Sequence, residues 1–467
     1  MASFSGCPPE IQQSILECLP PGHLFSLLFV NKQWNAMAEP LLYHRIKMKW
    51  TTWETPPITL LLQKIIDRPE LSNHIRSLYF DGAGFDHNEL PPKISVAALQ
   101  MEKVSEAIRR TKTPYVDVWI QELQSGSMDA IITLLLAQLS NLTSLHLRPN
   151  YLIDNQALGM MLRLALCSPS EYQLPRFQNL RYVNLDCWPD DYRPEEVKNT
   201  MDMLPFFYLP NIRYLSTVIH NPAEFEWPAE APAPTSLVSL NLGRWREVWL
   251  GDLIGVLKGV QKIEWRWFHR EDIDPEICEP VIDLDKIGAA MYSVHETLKD
   301  LTITAESLAV KFIDPPLVIK GSLYDMTRLD KLERLQIPWI FIMGFSPSSG
   351  KHLGGAIPKS TQFLTLTDDL FYDDKSEWDQ VEILFCSLKS ELELEDRTEV
   401  STPLRHMTLQ LFPLRELSVD RKAELEHISI QAGIELTWTR DSPILKYPKP
   451  LEIRAFDHLA LTCFLDL

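Results

Sequence analysis

The chain has 467 residues and a formal net charge of −18, from 45 Lys and Arg against 63 Asp and Glu. An apolar fraction of 45% with 23% charged residues is globular and excludes wholesale disorder. The acidic balance argues against a nucleic-acid or anionic-membrane binder, because phosphate contacts need clustered cations. Glycine is scarce at 17 and proline plentiful at 34, which leaves little material for phosphate-cradling loops and predicts many stiff connections. The cysteines (Cys7, Cys18, Cys167, Cys187, Cys278, Cys386 and Cys463) form no CxxC, so a reduced chain without a disulfide framework or zinc knuckle is expected. No basic-then-apolar leader is present, and the apolar stretch at 130–139 (AIITLLLAQL) is about half a membrane span. A soluble protein of the cytoplasm or nucleus is expected.

Residues 7–46 predict three short helices. Pro8 and Pro9 suit a helix entrance, and Ile11, Ile15, Leu16 and Leu19 follow on one face. Pro20-Pro21 stops that helix. A second carries Leu24, Leu27 and Leu28, widened by Phe25, Phe29 and Val30 until it is apolar nearly all round. Asn31 can cap a third, which carries Trp34 and is expected to end before Pro40. Forty residues cannot bury this much apolar surface among themselves, so the segment packs on the rest of the chain or offers a docking face.

The ordered series Pro8, Glu10, Ile11, Ile15, Leu19-Pro20-Pro21, Leu24, Val30, Lys32, Trp34 and Pro40-Leu41-Leu42-Tyr43 resembles the F-box. The closing AEPLLYHRI at 38–46, and LLLQKIIDRPELSNHIRSLYF at 60–80, resemble F-box proteins of filamentous fungi. Cys7, His23 and Asn31 depart from the usual Leu, Asp and Cys. The resemblance implies docking on a Skp-type adaptor and, through it, on the cullin and RING subunits of a ubiquitin ligase. Carried over by position, the adaptor face comprises Pro8, Ile11, Ile15, Leu19, Leu24, Leu27, Val30 and Trp34, although Trp34 in particular could instead hold the trio together.

Beyond the trio, Leu60–Asp67 reads as a helical connection, and a six-residue pattern, apolar-x-x-apolar-x-apolar, then recurs. It starts at Ile75, Leu142, Leu180, Leu237, Val260, Leu298, Leu332, Leu404 and Leu425, with weaker copies at Ile212 and Thr361 and a further strand-like run (YVDVWI) from Tyr115. With polar residues required between the apolar ones, roughly five windows are expected by chance, against about ten here. Helical stretches are expected at 96–110, 128–139, 156–166, 252–257 and 282–298. Short strands alternating with helices imply parallel strands joined by crossovers. The fold class is therefore α/β: an N-terminal three-helix F-box at 4–50, a helical linker at 51–74, and an irregular leucine-rich-repeat-like solenoid at 75–467 with parallel strands and outer helices. The usual Asn at the strand exit is mostly absent, which leaves a non-repeat α/β domain as the alternative. Loop insertions are expected near 221–236, which carries four prolines, and 368–399, with twelve acidic against three basic residues.

No catalytic chemistry emerges. Gly344 to His352 is one residue too long for a P-loop and has His where magnesium needs Ser or Thr. No GxSxG or HExxH occurs, and neither cofactor nor metal site is expected. The reading is a substrate receptor of a ubiquitin ligase that is not itself an enzyme. The alternatives are an F-box scaffold that holds a partner without ubiquitylation, or an enzyme on an α/β fold. A substrate site for an acidic or phosphorylated protein segment is expected at Trp245, Lys262 and Arg266. These lie in 244–270, where tryptophans and cations concentrate and Arg and Trp favour binding hot spots. Strand alternation assigns all three to the outward face, with Ile263, Trp265 and Trp267 inward.

Overall fold

The structure, a computed structural model, describes residues 7–82, 85, 92–168, 171–185, 198–270, 279–308, 316–373, 375–393 and 404–439. These fall into two compact units, one of residues 7–217 with 227–232 and the other of 218–226 with 233–439.

The first unit opens with the three helices: α1 (Pro9–Glu17), α2 (Pro21–Leu27) and α3 (Lys32–His44). Both α1 and α2 place a proline in the first turn, where its missing N–H leaves no bond unmade. The Asn31 side chain accepts from Trp34 N at 3.0 Å and caps α3. Contrary to expectation, α3 runs through Pro40 to His44. The burial of Ala38, Leu42 and Tyr43 on one face outweighs the lost hydrogen bond. Helix α4 (Ile58–Asp67) follows. Just past its end, Arg68 grips Glu39 of α3 with two parallel bonds of 2.7 and 2.9 Å, which ties the trio to the rest of the unit.

The unit's sheet is parallel: β1 (Arg45–Lys49), β2 (Ser77–Asp81), β3 (Ser144–Leu147), β4 (Tyr182–Leu185) and β5 (Tyr214–Val218) pair in chain order. One row of that register is Lys47, Tyr79, His146, Asn184 and Ser216. Each strand entry donates to the carbonyl of the one before: Arg76 N to His44, Thr143 N to Arg76, Arg181 N to Thr143 and Arg213 N to Arg181, at 2.8 to 3.0 Å. The strand expected from Tyr115 is instead a helix, Val116–Gln124. Trp119 and Leu123, four apart, are buried while Val118 is exposed, a helical period rather than an alternating one.

The second unit repeats the scheme with β6 (Ser239–Gly243), β7 (Lys262–Arg270), β9 (Asp300–Leu308), β11 (Arg334–Pro338), β12 (Phe363–Thr367), β13 (His406–Gln410) and β14 (Glu435–Trp438) in one parallel sheet. A separate parallel pair joins β8 (Val281–Asp283) to β10 (Val318–Lys320). The same entry ladder runs from Val238 O through Gln261, Lys299, Glu333, Gln362 and Arg405 to Glu435 N. The window at Leu425 is not a strand but part of the helix Val419–Gln431, in which Leu425 and Ser429 face inward; β14 comes after it. The helix expected at 282–298 is β8 followed by Leu284–Tyr292, and the one at 252–257 is Glu247–Ile254. Residues 221–236 hold no helix or strand. The acidic stretch contains the helix Val381–Glu393, which buries Leu384, Leu388 and Leu392; residue 374 and residues 394–399 of that stretch lie outside the described residues.

Every apolar position of the pattern at Leu142, Leu237, Leu298 and Leu332 is buried. The fold is thus an α/β, solenoid-type array of parallel strands that follows an N-terminal helical trio. Buried carboxylates stitch neighbouring elements. Asp129 accepts from Ala157 N (2.7 Å) and Leu158 N (3.1 Å), and Asp369 from Ala305 N (2.7 Å). Glu391 accepts from Leu353 N (2.8 Å), and Glu247 from Trp267 Nε1 (3.0 Å). A buried N–H left without an acceptor would cost about 1–3 kcal/mol, so each contact helps hold the element that carries its donor. Burial pushes the Asp129 carboxyl up to about 8 and that of Asp369 up to about 7, despite the backbone N–H groups that favour the charged form.

Candidate functional site

The interior of the trio consists of Leu16, Leu24, Ala38, Leu42 and Tyr43. On the outside, Ile11 is 50% exposed, Ile15 42%, Phe29 62% and Val30 58%. Pro8 is also exposed, and Leu19, Leu27 and Trp34 are half-buried. Leu24, expected on the adaptor face, is only 4% exposed and is corrected to an interior residue: α2 has seven residues, and Leu24 is the one side chain it buries. Phe29, stacked edge-on against Phe25 at 5.2 Å, was not singled out from the sequence, because an apolar stretch without periodicity does not reveal which side stays wet. Such a concentration of exposed aliphatic and aromatic side chains within about twenty residues is the chemistry of a docking surface.

A family profile described as F-box-like matches residues 6–49, the same segment that carries this exposed set. The chain therefore carries an F-box-like domain at its N-terminal end, a protein-interaction module. No curated protein matches the chain.

The second expected site is only partly assembled. Trp245 is fully buried, so its assignment to the outward face is overturned. Strand β6 ends at Gly243, and Arg244 adopts a left-handed φ of 63°, which breaks the alternation and turns Trp245 inward. There Trp265 Nε1 donates to the Trp245 carbonyl at 2.8 Å. Lys262 and Arg266 do lie outward, as alternation predicts, but Lys262 is engaged by Glu264 at 2.7 Å. Trp265 and Trp267 are core, as predicted, and Arg246 stacks on Trp267 at 4.7 Å. The expected patch thus reduces to Arg266, beside Lys262 in its ion pair.

Other outward positions follow the strand register. Ser144, His146, Tyr182, Asn184, Asp300, Thr302, Arg334 and Gln336 are exposed or half-buried while the leucines beside them are buried. Asn241 is the exception, nearly covered where its amide donates to Glu264 at 2.7 Å. His146 is held mostly neutral, pushed down to about 4 by burial and by Arg148. Among the described residues no cluster of His, Cys, Asp and Glu could hold a metal, and no helix is long and apolar enough to cross a membrane.

Proposed function

We propose that the protein is the substrate-recognition subunit of an SCF-type ubiquitin ligase. The observation that carries this reading is the outward set of Ile11 and Ile15 on α1 and Phe29 and Val30 in the turn before α3, all within the segment matched by the F-box-like profile. In this reading these residues, with Pro8, Leu19, Leu27 and Trp34 at the margins, dock on a Skp-type adaptor, which links the chain to cullin and RING subunits. The repeats, read as leucine-rich-repeat-like and of the fungal F-box type, hold a protein substrate. The chain does no bond chemistry of its own. It acts by positioning, because holding a substrate lysine near the charged conjugating enzyme raises the effective concentration of the reacting groups. The Glu39–Arg68 fork supports that role, since a stiff joint behind the F-box-like helices transmits position. The protein works in the cytoplasm or nucleus, where such ligases act.

The test is affinity purification of the full chain with degradation blocked. Adaptor, cullin and ubiquitylated clients are expected together. Recovery of adaptor without cullin would replace this reading with the scaffold, and recovery of neither would remove it.

A further inference from the structure

We propose that the outward face of β1–β4, centred on Arg45, Lys47, Tyr79, His146 and Asn184, takes an extended acidic segment of a protein. The proposal rests on the reading of the chain as a substrate receptor and gives that receptor a site and a ligand class.

Charge comes first. In a protein of net charge −18, the outward positions of β1 to β4 carry Arg45, Lys47 and Lys49 against Asp81 alone, with Arg148 just past the end of β3. The outward positions of the second unit carry no such surplus, with Lys262, Arg266 and Arg334 against Glu264, Asp300, Glu306 and Glu435, while Arg270 at the end of β7 is buried. The surplus thus belongs to one face and is not a general property of the strands.

Geometry follows. The Lys47 Nζ lies 5.1 Å above the Tyr79 ring, and the Tyr79 and His146 rings are 5.4 Å apart, so three neighbouring strands present one prearranged cation and ring row. Asn184 continues that row, and its amide oxygen is buried without a hydrogen-bond partner among the described residues. Such an atom calls for a donor. The backbone N–H of an extended peptide provides one, while the peptide's carboxylates or phosphates meet Arg45 and Lys47. Tyr182, 38% exposed, borders the row with a ring open to solvent. Four strands at about 4.8 Å span about 14 Å, the length of about four extended residues. A short acidic motif therefore fits, whereas a long nucleic-acid strand would meet the acidic remainder of the chain.

The test uses the purified full chain and fluorescent peptides of about twelve residues read by anisotropy at fixed salt. One peptide has a Glu-rich core, the second has phosphoserines there and the third has neutral serines; an oligouridylate serves as a polyanion of another class. The Glu-rich and phosphoserine peptides are expected to bind and the neutral one not to. Arg45→Glu with Lys47→Glu should weaken binding by about tenfold or more. The milder Arg45→Gln with Lys47→Gln should weaken it less, and covers the case in which the reversal disturbs folding. Lys262→Glu with Arg266→Glu should leave binding unchanged. Equal binding of the neutral peptide, equal loss from both charge-reversal pairs, unchanged binding in the Gln variant, or tighter binding of the oligouridylate would overturn the proposal. Adaptor binding measured on the same preparations separates the two readings: adaptor without peptide binding removes this site alone, and peptide without adaptor binding removes the receptor.

Discussion

The three N-terminal helices and the parallel strands are built from the same aliphatic residues and use them in opposite ways. In the strands, Leu142, Leu145 and Leu147, or Leu298, Leu301 and Ile303, are all buried, and the chain satisfies itself. In the helical trio, Leu16, Leu24 and Leu42 form a thin interior while Ile11 and Ile15 on α1, and Phe29 and Val30 in the turn before α3, face solvent. Periodicity identifies the element that a run of apolar residues builds. Whether that element's apolar side faces its own core or another molecule depends on how much partner surface the fold supplies, and seven- to thirteen-residue helices with few neighbours supply little.

Mutations of one chemistry should therefore act differently in the two regions. The largest effect is expected from Ile11→Asp with Ile15→Asp. A charge forced into an adaptor contact is desolvated without a partner, at a cost of several kcal/mol. Adaptor co-purification should be lost, yet the melting temperature should barely move, because both side chains are already half in water. A drop in melting temperature comparable to that of a core variant would erase the distinction between the regions.

Next come the strands. Leu145→Ala or Leu301→Ala should destabilise the unit that holds it by about 2–5 kcal/mol through the cavity left behind, and adaptor binding should survive. Denaturant titration reads this, and a loss under about 1 kcal/mol would mean that these leucines are not packed as described.

A pH-dependent effect concerns the carboxylates between elements. The folded Asp129 carboxyl is raised to about 8, above its unfolded value near 3.9. Between those values the folded state binds the extra proton, so this group's contribution is complete below about pH 4 and is lost as pH rises towards 8. Asp129→Asn, which cannot titrate and keeps one acceptor oxygen, should flatten the fall in stability across that window. Identical pH slopes for the two proteins would show that Asp129 is not the group responsible. The smallest effect belongs to the outward row: Gln336→Ala should change stability by about 0.5 kcal/mol or less.

Much of this was legible in the sequence, for identifiable reasons. The apolar pattern located β2 to β7, β9 and β11 to β13, because a half-buried strand whose first and last leucines are fixed leaves a short-range signature. It missed β1, since RIKMK offers only Ile46 and Met48 among cations. It misread Leu425, because apolar residues at i, i+3 and i+5 also occur on a helix whose inward stripe is Leu425 and Ser429. Alternation predicted the outward Lys262 and Arg266 but failed at Trp245, where one left-handed residue, Arg244, interrupts the strand. The stitching carboxylates could not be seen at all. Asp129 serves backbone groups 28 and 29 residues away, and Asp369 one 64 residues away, so only the fold brings them together. The basic face of β1–β4 was hidden for the same reason: Lys47, Tyr79, His146 and Asn184 are neighbours in register and strangers in sequence.

In the proposed function, a partner completes the exposed apolar side of the N-terminal helical segment. Amide hydrogen exchange on the full chain, with and without purified Skp-type adaptor, tests it most directly. Slower exchange is expected across α1 and α2 when adaptor is present, with β11 to β13 unchanged. Exchange in α1 and α2 that is indifferent to adaptor, or protection confined to the strands, would contradict it.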